Sequence, residues 1–243
     1  MLNNPRLSES FPIFGLFSTI TLSVVLLLLF LASQLVGVLL FAPVVFGGQK
    51  MDIAETILQG SQNGTLISLS VLFTLVVVCG FIALVIWQKK ANIVDYLALK
   101  AFKFRHFCQG LVALLLFNVV IHLLTTWLGR EPMAFMDELA FSAKPLWLLM
   151  LGMVVIAPIY EEVMFRGFMW TGLAHSRLGV IGASVLTGIV FALIHFQYGW
   201  VELLAIFMLA LLFSYARFVS KSLLLPIALH IVNNGLAMAI YLL

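Results

Sequence analysis

Three stretches of this chain set ionisable and amide side chains into otherwise apolar sequence. The first is Pro158-Ile-Tyr-Glu161-Glu162-Val-Met-Phe-Arg166, the second Phe191-Ala-Leu-Ile-His195, and the third His230-Ile-Val-Asn233-Asn234. A carboxylate, two imidazoles and a carboxamide are a sufficient set for hydrolysis by an activated water. A glutamate can take a proton from water, and a histidine can share that task or hold the water. A second histidine and Asn234 can donate hydrogen bonds to a developing oxyanion. The same residues allow a second chemistry, in which His195, His230 and Glu161 bind Zn²⁺ and leave one position open.

The spacing says which groups share a face. Glu162 and Arg166 are i and i+4 on a helix and can pair. Glu161 is rotated by about 100° from Glu162 and is not neutralised by the same arginine. Pro158 removes a backbone donor just before the pair and tends to kink the helix, opening carbonyls to a cavity. Phe191 and His195 share a face, as do His230 and Asn234, while Asn233 points elsewhere. Each group alone has a plainer reading: an interfacial ion pair, a packed histidine, or interhelical hydrogen-bond glue. The pair reading leaves Glu161 without a partner. Three such groups on three helices of the C-terminal half favour a site.

Other hydrolytic chemistries fit less well. No histidine begins an HExxH motif, and no GxGD occurs. The only aspartates are Asp52, Asp95 and Asp137, all in loops. Gly182-Ala183-Ser184 matches a GxS pattern, with His230 two spans later as a Ser–His dyad would require. That reading leaves Glu161, Glu162, Arg166 and His195 unexplained.

The elements that carry these groups must lie in a membrane. Only 9% of the 243 residues are charged, against about 25% in an ordinary soluble domain. Apolar residues make up 63%, and the mean hydropathy is +1.17. So few polar side chains cannot cover a soluble fold of this size. The apolar content excludes disorder, and continuous apolar runs exclude a transmembrane barrel. Residues 10–49, 56–88, 107–129, 178–201 and 222–243 carry no charge, and a helix crosses the hydrocarbon core with about 20 apolar residues. With the interrupted stretches 145–174 and 203–216, we expect an all-α, polytopic transmembrane bundle. Its seven spans are about 12–46, 66–88, 107–129, 146–174, 178–198, 200–218 and 222–243. An eighth element arises if the long first run includes a re-entrant piece. That run reads as a signal anchor rather than a cleaved signal peptide.

The net charge of +3 does not indicate nucleic acid, because the basic residues sit in loops. Lys89, Lys90, Lys100, Lys103 and Arg105 face only Asp95 in one loop, Arg166 and Arg177 flank another turn, and Arg217 and Lys221 a third. Alternate loops are slightly acidic, with Asp52 and Glu55, with Glu131, Asp137 and Glu138, and with Glu202. The positive-inside rule then places the N-terminus and the basic loops in the cytoplasm and, with seven spans, the C-terminus outside. Within the first basic loop, Ile93, Leu97, Ala101 and Phe104 fall near one face of an Asn92–Phe107 stretch expected to lie in the interface. Cys79 and Cys108 read as packing residues. No repeat divides the chain. Residues 1–144 are expected to supply hydrophobic spans and the basic loop, and residues 145–243 a polar-bearing catalytic core, in one integrated membrane domain.

The depths do not agree at once. Glu161 and His195 lie about 24 and 27 Å from Arg177 along their helices, and His230 only about 14 Å beyond Lys221. Tilted helices, or a non-helical 178–183 segment, would reconcile them.

Taken in order, EExxxR at Glu161–Arg166, FxxxH at Phe191–His195 and HxxxN at His230–Asn234 resemble the CPBP family, the CAAX-protease and bacteriocin-processing (Abi) group of intramembrane endopeptidases. The flanking Phe168 and Trp170, His195-Phe-Gln-Tyr-Gly199 and Ser222-Leu-Leu-Leu-Pro226 agree. The resemblance covers about residues 145–240. It implies that Glu161 and His195 activate water, that His230 and Asn234 stabilise the oxyanion, that Glu162 and Arg166 form a supporting ion pair, and that Phe191 packs near the site. Both zinc-dependent and metal-free mechanisms have been argued for this family. We favour no cofactor, because Glu161 is needed as a base and only two histidines are at hand. Membrane lipid and a membrane-associated peptide or protein substrate are the expected partners. A bacterial inner membrane is the expected location. Relatives in eukaryotes trim prenylated CAAX proteins, and others are linked to bacteriocin maturation or immunity. A non-catalytic immunity or scaffold protein of the same fold and a small-solute transporter are the alternatives. A transporter would spread its polar residues along a path, whereas here they cluster.

Overall fold

The computed structural model describes residues 13–130 and 136–242. The expected start of the first span at residue 12, Glu131 of the acidic loop and Leu243 at the end of the last span lie outside the described residues. Those residues form helices and no strand. Six helices are long and apolar enough to cross a membrane: α1 (Leu16–Val45), α3 (Gly64–Gln88), α5 (Phe104–Trp127), α7 (Leu146–Ala174), α9 (Trp200–Ser220) and α10 (Leu224–Leu242). A shorter apolar helix, α8 (Gly179–Leu193), follows α7. Three short helices, α2 (Ile53–Ser61), α4 (Ile93–Tyr96) and α6 (Met136–Ser142), sit in the connections. The protein is an integral, multi-pass membrane protein. Its long first apolar run makes one continuous helix of 30 residues.

Capping marks the ends of several of these helices. The Asp52 side chain accepts from Glu55 N–H at the start of α2. Asn63 does the same for Leu66 at the start of α3, and Asn92 for Val94 and Asp95 at the start of α4. Each satisfies backbone donors left over at a helix N-terminus. Lys221 adopts a left-handed conformation (φ 55°) and closes α9.

α7 is the most buried of the spans. It touches α1, α3, α8, α9 and α10. Phe165 and Phe168 from α7, Leu26 from α1 and Val78 and Ile86 from α3 are fully buried in the main core. α1 runs along α3 at close quarters. Ser33 Oγ donates to Thr74 Oγ1 at 3.0 Å, and Gly37 faces the Ser70 backbone without room for a Cβ. Small residues let two helices approach closely where no water drives them together. α5 packs at the edge, against α9 and α10. Its Leu116, Val119, Val120 and Leu123 stay exposed, as a lipid-facing surface requires.

Two links tie the last helix to opposite ends of the bundle. Leu223 N–H donates to Ala98 O at 2.9 Å, and Ser222 Oγ donates to Lys100 O. Tyr241 Oη donates to Asp137 Oδ1 at 2.8 Å. α10 therefore runs from the end carrying the basic 89–103 connection to the end carrying α6.

Two local expectations are corrected. The interfacial helix expected over Asn92–Phe107 lasts one turn, α4. Ala98 then takes φ 52°, and the carbonyls of Ala98 and Lys100 turn to bond Leu223 and Ser222. As a result Leu97 is buried, Phe104 is 74% exposed and Ala101 is exposed as well, so the four apolar residues do not share one face. The fifth expected span, 178–198, is helical only to Leu193. His195 is therefore on the turn that follows, and the 178–183 segment is helical from Gly179 onward.

Candidate functional site

α7 departs from α-helical geometry twice, at Gly152–Ile156 and at Val163–Met169, where it takes π-helical turns. The first departure has a readable cause. Ala157 N–H bonds Gly152 O, five residues back. The next donor in that pattern would be residue 158, and proline has none. The Met153 carbonyl is thus left without a backbone donor, and Asn234 Nδ2 from α10 fills the place at 3.0 Å. The carbonyl that Pro158 was expected to open is taken by an amide of the same site.

Glu161 and Glu162 emerge between the two π-helical turns, and they have different surroundings. Glu162 Oε1 accepts from Arg166 Nη1 at 2.9 Å, with both side chains fully buried. The same oxygen lies 2.9 Å from His230 Nδ1. Arg166 Nη2 donates to Ala210 O on α9 at 3.0 Å. The guanidinium carbon stands 4.6 Å from the Phe191 ring centroid and 5.6 Å from that of Phe213, within cation–π range. Glu161 has no such ties. Its Oε2 is 3.7 Å from His230 Nε2, and its side chain keeps 11% of its exposure.

His195 closes the end of α8. Its own N–H bonds Ala192 O, three residues back. This leaves the Phe191 carbonyl unmatched, and His195 Nδ1 takes it at 2.7 Å. Phe191 sits between the imidazoles, with ring centroids 4.8 Å from His195 and 5.9 Å from His230. Phe213 stacks on the other side of His230 at 4.9 Å. Both His195 and His230 lie within electrostatic range of Glu161.

These contacts assign the tautomers. A carbonyl can only accept, so His195 Nδ1 carries the proton and Nε2 is its lone-pair nitrogen. A carboxylate paired with arginine likewise only accepts, so His230 Nδ1 donates to Glu162 and Nε2 faces Glu161. In its neutral form neither histidine can donate from Nε2. His230 can donate to an oxyanion only as an imidazolium.

The expected site residues therefore fall into one cluster. Glu161, Glu162, Arg166, Phe191, His195 and His230 surround one another, and Asn234 joins them through Met153 of α7. The depth mismatch anticipated for His230 is bridged, since its imidazole reaches both glutamates. The Ser184 alternative is overturned. Ser184 Oγ donates to Val180 O and accepts from Trp170 Nε1 at 2.9 Å, and its helix packs there against Trp170 and Leu173.

Several participants went unread in the sequence. Tyr198 lies near His195, with ring centroids 6.3 Å apart. Its hydroxyl is pushed up to about 12 by burial, with the charge of Glu161 adding to the effect. Asn118 of α5 donates to Asn233 Oδ1 at 3.1 Å. A carboxamide in the middle of the apolar α5 was the signal for Asn118. The carbonyls of Met153 and Ala210 had no signal, because their roles depend on helix irregularity and on tertiary approach. As for zinc, no group of three His, Cys, Asp or Glu side chains among the described residues is arranged to hold a metal ion.

Comparison with known proteins falls on the same part of the chain. The family model for the type II CAAX prenyl endopeptidase Rce1-like group matches residues 143–236. That range includes α7 from its start and every residue named for the site except Asn118. The UPF0177 protein YbdI of Lactococcus lactis subsp. lactis is 34% identical, over 44% of this chain and 67% of its own length. No solved structure matches. The chain belongs to the CPBP family.

Proposed function

We propose that this protein is an intramembrane endopeptidase that hydrolyses a peptide bond in a membrane-associated protein or peptide, using water activated by Glu161 and His195. The observation that carries this reading is the division of labour between adjacent carboxylates. Glu162 is engaged by Arg166 and His230, whereas Glu161 keeps an accessible carboxylate beside two imidazoles. A carboxylate that is not tied up in a close ion pair is what a general base needs.

In the proposed reaction, water attacks the carbonyl carbon of the scissile bond. Its proton passes to Glu161, with His195 Nε2 accepting a hydrogen bond from the same water. Asn234 donates an N–H to the oxyanion, and His230 adds a second donor when it is an imidazolium. Glu161 then returns the proton to the departing nitrogen as the C–N bond breaks, leaving a carboxylic acid and an amine. No step is routed through a metal ion. The basic connections are proposed to face the cytoplasm of a bacterial cell, by the positive-inside rule.

The experiment is cleavage of a membrane-tethered peptide library by wild type and Glu161→Ala, each with and without a zinc chelator. Cleavage lost in the variant and insensitive to chelator supports the glutamate–water reading. Loss on chelation with recovery on Zn²⁺ moves the assignment to a metalloprotease. Equal activity in both proteins overturns the site.

A further inference from the structure

Four polar groups on three helices form a directed chain that ends at the site. Asn118 of α5 donates from Nδ2 to the Leu114 carbonyl at 3.0 Å and to Asn233 Oδ1 at 3.1 Å. Asn233 Nδ2 donates to Asn234 Oδ1 at 3.2 Å. Asn234 Nδ2 donates to the Met153 carbonyl of α7 at 3.0 Å. An amide can be turned end for end, so a single amide–amide contact does not specify direction. Here both ends of the chain are backbone carbonyls, which only accept. Leu114 O fixes the nitrogen of Asn118, and Met153 O fixes the nitrogen of Asn234. Asn233 then has one orientation that satisfies both neighbours.

We propose that Asn118 and Asn233 are positioning residues that lock the Asn234 carboxamide with its nitrogen toward α7. The proposal rests on the oxyanion role given to Asn234 above. One N–H of Asn234 is used by Met153, and the other has no protein partner among the described residues. An Asn234 turned end for end would present Oδ1 in its place and repel an oxyanion. Met153 alone sets oxygen against oxygen on that turn; the chain adds a second clash, because Asn233, held by Asn118, would then meet Asn234 nitrogen against nitrogen. It also accounts for Asn118, a half-buried carboxamide midway along an apolar helix. Ordinary interhelical glue would stabilise α5 against α10 with either polarity, whereas positioning needs this one.

The polarity is what the test reads. Asn118→Leu removes the first donor. Asn118→Asp replaces the donor with an acceptor and favours the reversed chain. Asn118→Gln keeps a donor. Each is purified, reconstituted and compared using a membrane-tethered peptide that the wild type cleaves. The expected result is a kcat lowered roughly tenfold or more in Asn118→Leu, the scale on which a misplaced group costs rate. KM should be little changed, Asn118→Asp should be lower still, and Asn118→Gln should recover most of the loss. Asn233→Leu interrupts the chain from α10 and stands in if the α5 variants do not fold. A substrate-independent readout is the ¹⁵N-edited NMR signal of the Asn234 side-chain amide, which should shift in Asn118→Asp. Wild-type kcat in Asn118→Leu, or a loss confined to KM or to melting temperature, or an unmoved Asn234 signal, overturns the proposal. Asn234→Ala separates it from the function itself. A wild-type kcat there sinks the oxyanion assignment. A kcat about 10²–10³ lower, alongside full activity in Asn118→Leu, sinks only the positioning chain.

Discussion

His230 Nδ1 lies 2.9 Å from Glu162 Oε1, the same oxygen that accepts from Arg166 Nη1. One carboxylate oxygen thus fixes a cation on its own helix and a histidine on α10. The pair is fully buried within α7, and burying charges is tolerable only while they are matched.

Removing one member of that set should therefore damage the fold more than removing the pair. Glu162→Gln leaves Arg166 as a buried unmatched cation, a change that costs about 3–5 kcal/mol in comparable cases. The double variant Glu162→Met, Arg166→Met should recover much of that stability while remaining inactive, because His230 loses its anchor. Thermal unfolding in detergent, read as a double-mutant cycle, checks this. Additive losses would contradict it.

Glu161 should behave in the opposite way. Glu161→Gln keeps the shape and removes the negative charge at a side chain with no ion pair shorter than 3.7 Å. Activity should fall by about 10²–10⁴-fold, the usual worth of a general base, with the melting temperature held or raised. A strong loss of stability would mean that the carboxylate serves the fold.

Ser184→Ala should leave cleavage intact. The hydroxyl is bonded to Trp170 and Val180, so its loss removes two hydrogen bonds, each worth about 1 kcal/mol. Loss of activity in this variant, with the protein folded, would revive serine chemistry.

The α1–α3 contact supplies a test of packing. A Cβ at Gly37 would sit 2.8 Å from both Cα and Cβ of Ser70, and helix backbones do not yield easily. Gly37→Ala should cost about 1–3 kcal/mol, as overpacking does elsewhere. At Gly80 on α3 nothing lies within 4 Å, so Gly80→Ala should be neutral or gain up to about 1 kcal/mol from helix propensity. Comparing the two melting temperatures checks the prediction.

The spans were readable because charge in hydrocarbon is costly, so charge-free runs mark them; the run ending at residue 88 closes where α3 does, at Gln88. The i, i+4 pairing of Glu162 with Arg166 was equally plain, since it is a local property of a helix. The end of α8 was not. Ile194, Phe196 and Tyr198 are apolar enough to continue a helix, and the stop comes from His195 taking the Phe191 carbonyl. The choice of Glu162 rather than Glu161 as the anchor of His230 was also hidden, because it depends on how α10 meets α7. Asn118 was passed over as an isolated polar residue, and only the fold brings it to Asn233.

The brevity of α8 bears on the lipid around it. Its 15 residues rise about 22 Å, while a typical hydrocarbon core is about 30 Å thick. The turn carrying His195 therefore ends short of the far headgroups unless the bilayer dips to meet it. Phe196 and Trp200, 78% and 71% exposed, flank that turn as aromatic anchors suited to a lowered interface. Hydrophobic mismatch of this kind costs a fraction of a kcal/mol per Å, so acyl-chain length becomes a control on how readily water reaches the proposed site. In short-chain vesicles the dip comes at little cost; as the chains lengthen, the protein must bend a stiffer, thicker membrane to keep its histidine wet.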